Sequence, residues 1–85
     1  MKPIRWTSHA RDDLAVRDLP RDEAERTLAA PDHIAEGRKP RAIYQRRYYD
    51  TLLGQEMLLR VVIEETELER VIVTLYKTSK FKKYG

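Results

Sequence analysis

A few side chains in this 85-residue sequence combine acid–base capability with positive charge. His9 carries the group that titrates nearest neutrality. Asp12 and Asp13, three and four residues on, share its face of a helix and can orient it. Arg60 stands among Leu58, Leu59, Val61 and Val62, where a guanidinium is seldom found unless it is paired or used. Two readings fit it. Either it clamps a phosphate with paired hydrogen bonds, or it snorkels to water and covers Leu58 and Val62 with its stem. Thr74 and Tyr76 offer hydroxyls that can bind a phosphate or give up a proton, although a mid-strand threonine is also ordinary β-propensity. Lys77, Lys80, Lys82 and Lys83 follow as a cationic surface or as a solvated tail. His9 equally reads as a helix-terminal residue facing water or making a structural hydrogen bond. His33 lies in the segment joining helices to sheet and is set aside. There is no cysteine, and two histidines so far apart, without an acidic cluster, make no metal site. No cofactor is expected.

The stretch 57–76 must position these groups, and it reads as two strands around an acidic turn. Met57, Leu59, Val61 and Ile63 alternate with Leu58, Arg60, Val62 and Glu64, so the odd positions form an apolar face. Val71, Val73 and Leu75 are the apolar set of the second strand. Matching apolar faces predicts that Val61 opposes Val73 and Leu59 opposes Leu75. Arg60 then lies across from Thr74, Leu58 from Tyr76, and Glu64 from Arg70, the last an opposite-charge pair. The second face, carrying Arg60, Thr74 and Tyr76, is expected to be open.

Length and charge bound the rest. Eighty-five residues make one domain, residues 1–85, with 41% apolar residues for a single core. The start lacks the apolar run of a signal peptide and no transmembrane segment is present, so a soluble cytoplasmic protein is expected. The net charge of +3 is unevenly spread: residues 1–37 hold 6 basic and 8 acidic side chains, residues 38–85 hold 11 and 6. Four of those six acids, Glu64, Glu65, Glu67 and Glu69, surround the turn. The sheet half is otherwise basic, which points to a polyanion, nucleic acid most simply, or to no more than a soluble basic surface.

Along the chain, residues 3–6 are an extended lead and a candidate edge strand. Thr7 or Ser8 caps a helix over 8–17. Leu19-Pro20 breaks it and starts a second helix whose inner stripe is Ala24, Thr27 and Leu28, ended by Pro31-Asp32. A short strand over 33–36, a basic loop over 38–41 and a strand over 42–49 follow, with the buried face of the last undecided. Residues 77–85 read as a basic tail with two aromatics. The expectation is an α+β fold: an αα-hairpin followed by a three- to four-stranded antiparallel meander, with the helices on one face. That topology gathers Arg46, Arg47, Lys77, Lys80, Lys82 and Lys83 at one end of the sheet. Tyrosines between the cations offer stacking surfaces for unpaired bases.

Trp-Thr-x-His-Ala at 6–10, Ala-Pro-Asp at 30–32, Gly-Arg-Lys at 37–39, Ile-Tyr-Gln-x-Arg at 43–47, Leu-Arg-Val-Val at 59–62 and Val-Thr-x-Tyr-x-Thr-Ser-Lys at 73–80 together resemble a prokaryotic family of small single-domain proteins of unknown function. That family is similar in layout to the BrnT and RelE/ParE-like toxins. The resemblance implies a RelE-like fold, membership of a toxin–antitoxin pair with a small antitoxin as partner, and metal-free cleavage of RNA. The gyrase-directed ParE branch shares the fold without ribonuclease chemistry. His9, Arg60, Thr74, Tyr76 and Lys80 are the positions that match the family's motifs.

Such cleavage needs a base for the 2′-hydroxyl proton, an acid for the 5′ leaving oxygen, and cations around the phosphorane. The catalytic candidates are therefore His9, Arg60, Tyr76 and Lys80. Arg46, Arg47, Thr74, Lys77, Lys82 and Lys83 are the candidates for holding RNA. The alternatives are a non-catalytic module of the same fold that binds nucleic acid or a protein target, and an interaction protein whose exposed sheet edge pairs with a second chain.

Overall fold

Thr7 decides where the first helix begins and where it sits. In the computed structural model, which describes residues 2–84, its Oγ1 accepts from the Ala10 amide at 3.1 Å and donates to the Ile72 carbonyl at 2.8 Å. One hydroxyl thus caps helix α1 (Ser8–Val16) and fastens it to the sheet. The chain enters through strand β1 (Ile4–Trp6). Asp18, with φ of 51°, takes the left-handed conformation that ends α1, one that aspartate tolerates better than most residues. Helix α2 (Arg21–Ala29) starts behind Pro20 with Asp22 and Glu23 in its first turn, where the helix dipole favours acids. No helix among the described residues is long and apolar enough to cross a membrane.

The remaining strands are β2 (His33–Glu36), β3 (Arg41–Asp50), β4 (Gln55–Glu65) and β5 (Arg70–Thr78), followed by the short helix α3 (Phe81–Tyr84). The fold is α+β, with a five-stranded sheet in the order β1-β5-β4-β3-β2. Strands β2 to β5 pair antiparallel in succession. Strand β1 adds in parallel to β5, so the sheet is mixed, where an antiparallel one was expected.

Ala10, Leu14, Ala24 and Leu28 from the helices and Leu19 from their connection pack on Leu59, Val61, Ile63, Ile72 and Leu75, with Trp6, Tyr44, Tyr48 and Met57 completing the core. Each large apolar side chain removed from water there contributes about 1.5–3 kcal/mol. The odd residues of β4 face the helices, as the alternation predicts. Strand β3 follows the same parity rule: Tyr44 and Tyr48 belong to the helix side, while Gln45 and Arg47 belong to the other.

The hairpin register differs from expectation, for an identifiable reason. Thr66 closes the turn: its Oγ1 accepts from the amides of Leu68 and Glu69 and donates to the Glu69 carbonyl. This pairs Glu65, not Glu64, with Arg70. Continued unbroken, that pairing would set Leu75 opposite Arg60 and turn it away from the core. A bulge at Val73 absorbs one residue, so Ile63 opposes Ile72 while Val62 opposes Thr74. Val61 then meets Leu75, and Arg60 meets Tyr76 rather than Thr74. Beyond the bulge the displacement is two residues, which keeps Leu75 on the helix side as expected; between turn and bulge it is one, so Ile72 enters the core where Val71 and Val73 were expected to.

A larger departure concerns the C-terminal segment. Instead of trailing as a tail, residues 79–84 fold back and α3 lies over the sheet face opposite α1 and α2. That face is partly covered, where an open one was expected.

Candidate nucleic-acid interface

Arg60 is the centre of the covered face. It projects from the middle of β4, is only 6% exposed, and has no carboxylate of the described residues within ion-pairing distance. Its Nε donates to Gln45 Oε1 at 3.1 Å and its Nη1 to the Tyr76 hydroxyl at 2.6 Å. Gln45 faces it directly across the β3–β4 ladder, and Tyr76 does so across β4–β5. The Tyr84 ring from α3 stacks on the guanidinium with its centroid 3.8 Å from Cζ, and the Tyr76 ring lies at 5.7 Å. Gln45 also donates through Nε2 to the Tyr84 carbonyl at 2.8 Å. Among the described residues, the groups that hold this positive charge out of water are all neutral. Such burial costs several kcal/mol unless good hydrogen bonds and ring faces offset it.

Arg47 lies on the same face, two residues along β3 from Gln45. Its guanidinium sits 4.5 Å from the centroid of the Phe81 ring and pairs on its rim with Glu56 at 3.3 Å. Asp32 Oδ2 accepts the Arg47 amide at 2.8 Å. Asp32, His33, Gln45, Arg47, Leu58 and Phe81 line a cleft of about 190 Å³ beside Arg60. His33 comes to this site because β2 pairs with β3 and sets it opposite Gln45. Reading 33–36 as a strand carried that signal, but the residue's place was legible only with the register of the β2–β3 pair.

Two of the four catalytic candidates, Arg60 and Tyr76, are in contact. His9 belongs to a different cluster, at the β5 edge. It is exposed, with Nε2 3.6 Å from Asp13 Oδ2. Asp13, 5% exposed, accepts from Thr74 Oγ1 at 2.6 Å and from the Leu75 amide at 3.3 Å, and its other oxygen accepts from Arg17. Burial raises its carboxyl, but the hydrogen bonds from Thr74, Leu75 and Arg17 outweigh this and hold it below the ordinary carboxylate value. Thr74 is thus engaged by Asp13 of α1 rather than by Arg60.

Two cations expected on the binding surface face the helices instead. Arg46 pairs with Glu23 of α2 at 2.8 Å. Lys77 pairs with the buried Asp50 at 2.7 Å and also donates to the Asp18 carbonyl. Asp50 is held below the ordinary carboxylate value mainly by that lysine, against the effect of burial, with help from the Leu53 amide and the Tyr48 hydroxyl. Tyr48 is pushed above its ordinary value by burial and by the Asp50 carboxylate that accepts its proton. Lys80, Lys82 and Lys83 are exposed around α3, next to the covered face. Among the described residues, no group of three or more His, Cys, Asp or Glu side chains is placed to hold a metal ion.

The assembled surface has stacking rings, buried and exposed cations, and a neighbouring cleft with an imidazole. Those are the elements that bind unpaired nucleotides. Neither a protein-family model, nor a curated protein, nor a solved structure matches the chain.

Proposed function

We propose that the face built by Gln45, Arg47, Arg60 and Tyr76, with the lysines of the α3 region, binds single-stranded RNA, and that the chain is a toxin-like protein of RelE-like fold that cleaves it. The observation that carries this reading is the Arg60 guanidinium. It is a charge kept in the sheet at an energetic cost with no acid among the described residues to pair it, and cations of that kind mark sites of use. The layout supports the RelE-like assignment through two helices packed on one side of four consecutive antiparallel strands. A small antitoxin is the protein partner this assignment brings with it.

Cleavage is favoured over binding alone by the 2.6 Å contact between Arg60 and the Tyr76 hydroxyl. A phosphodiester seated there has its phosphorane charge met by Arg60. The RNA 2′-oxygen attacks phosphorus, the bond to the 5′-oxygen breaks, and Tyr76 supplies the proton that oxygen needs. The imidazole of His33, in the adjoining cleft, takes the 2′-hydroxyl proton. His9 lies outside this arrangement, so its replacement leaves cleavage intact.

The test is purified protein incubated with a single-stranded RNA in the presence of EDTA. Products ending in 2′,3′-cyclic phosphate are expected, lost in Arg60→Met and Tyr76→Phe and retained in His9→Ala. RNA that is bound with a steep salt dependence but left whole would reduce the function to binding. RNA that is neither bound nor cut would overturn the proposal.

A further inference from the structure

The contacts that hold α3 down resemble those a nucleotide makes. Tyr84 lays a flat ring on the Arg60 guanidinium at 3.8 Å. Its carbonyl oxygen accepts from the Gln45 amide at 2.8 Å. Gln45 and Arg60 are both more than nine-tenths buried and are locked to each other at 3.1 Å. They form a rigid platform with a cation beneath and an N–H donor at the rim. One helical turn earlier, Phe81 lays a second ring on Arg47 at 4.5 Å. Two rings thus rest on two guanidiniums on neighbouring strands, as two successive bases can.

We infer that Arg60 and Gln45 form a nucleobase-binding site, selective for a base with a ring carbonyl, and that Tyr84 of the same chain occupies it until RNA displaces it. The inference rests on the RNA-binding reading above and adds which part of the RNA the site takes and what closes it. Uracil, cytosine and guanine carry an exocyclic carbonyl oxygen that can replace the Tyr84 carbonyl as the Gln45 acceptor. Adenine carries none. The closing segment is suited to release: a helix of only four residues has almost no stability of its own, so its docking depends on these few contacts. The lysines at 80, 82 and 83 remain attached when it swings out and stay available to phosphates.

A ring that occupies the site in the free protein lowers the apparent affinity by the fraction of molecules in which the site is open. A stacked ring–guanidinium contact of this kind is worth a factor of roughly 5–30. The experiment measures fluorescence anisotropy of labelled octauridylate and octaadenylate against the wild type, Tyr84→Ala, and a chain ending at Lys83, with circular dichroism to verify folding. The inference expects both variants to bind octauridylate at least about fivefold more tightly than wild type. It also expects them to prefer octauridylate over octaadenylate, a preference that Gln45→Met abolishes. Should wild type bind RNA while both folded variants bind no better, the inference fails and the RNA-binding function stands. If only the truncated chain unfolds, Tyr84→Ala decides. If no protein binds either oligonucleotide, both fail together.

Discussion

Replacing Arg60 together with Gln45 separates function from stability, because binding needs the pair and folding gains almost nothing from it. At 6% exposure its charge has lost nearly all hydration, a penalty of several kcal/mol after relaxation. Against that stand two charge-assisted hydrogen bonds of about 1.5–3 kcal/mol each and a ring contact of up to about 2 kcal/mol, so the net is near zero. Arg60→Met keeps much of the stem among Leu58, Val62 and the two tyrosine rings and removes the charge. It orphans Gln45 Oε1, on a residue only 3% exposed, at about 1–3 kcal/mol. The single variant should therefore be less stable than wild type by about 1–3 kcal/mol. Arg60→Met with Gln45→Met removes that orphan, leaves the Tyr84 carbonyl on a half-exposed residue to water, and should return to within about 1 kcal/mol of wild type. For a domain of this size each kcal/mol shifts Tm by roughly 4–8 °C. Urea unfolding followed by circular dichroism gives the free energy, and RNA binding on the same samples should be lost in both variants. A double variant less stable than wild type by more than about 2 kcal/mol at unchanged m would refute the reasoning. The polar cluster would then be a structural fastening with no need of a ligand.

Further outcomes follow from the fold. Asp13→Ala should lose roughly 2–4 kcal/mol in denaturant unfolding, since the Thr74 hydroxyl and the Leu75 amide lose their acceptor, whereas exposed His9→Ala should change stability by no more than about 0.5 kcal/mol. Lys77→Met strands the Asp50 carboxylate, which is 3% exposed. It should cost roughly 2–4 kcal/mol, a little under the fully buried limit because the lysine keeps some contact with water. Asp13 and Asp50 are both held below the ordinary carboxylate value in the folded state, so their contribution is complete above that value and is lost as pH falls through the lowered native ones. The urea midpoint should then be flat from about pH 8 to 5 and fall steeply below about pH 4, and Asp50→Asn should flatten the fall. Tyr48, raised in the folded state, acts in the alkaline direction: stability should decline once pH passes its ordinary value of 10.0. A midpoint unchanged between about pH 5 and 2 would contradict both carboxylate assignments.

Several features of this protein are determined within short stretches of its sequence. Thr7 and Pro20 set the helix starts, and the alternation from Met57 to Ile63 selects the buried face of β4. The displacement of the hairpin left that face intact: from Val61 toward Met57 the register moved by two, the period of side-chain direction, and at Ile63, where it moved by one, the apolar Ile72 took the facing place. What opposes what was decided by tertiary structure. The Thr66 turn set the first pair, and only the core's demand for Leu75 required the bulge at Val73, which gave Arg60 Tyr76 as its partner. The same holds for Lys77 and Arg46. Their types announce cations, but acids far along the chain, Asp50 and Glu23, turn them inward. The lysines at 80, 82 and 83 and the rings at 81 and 84 were legible as a basic, aromatic segment. That the segment doubles back onto Arg60 was not, because periodicity records which way a residue faces and carries no information about what arrives to cover it.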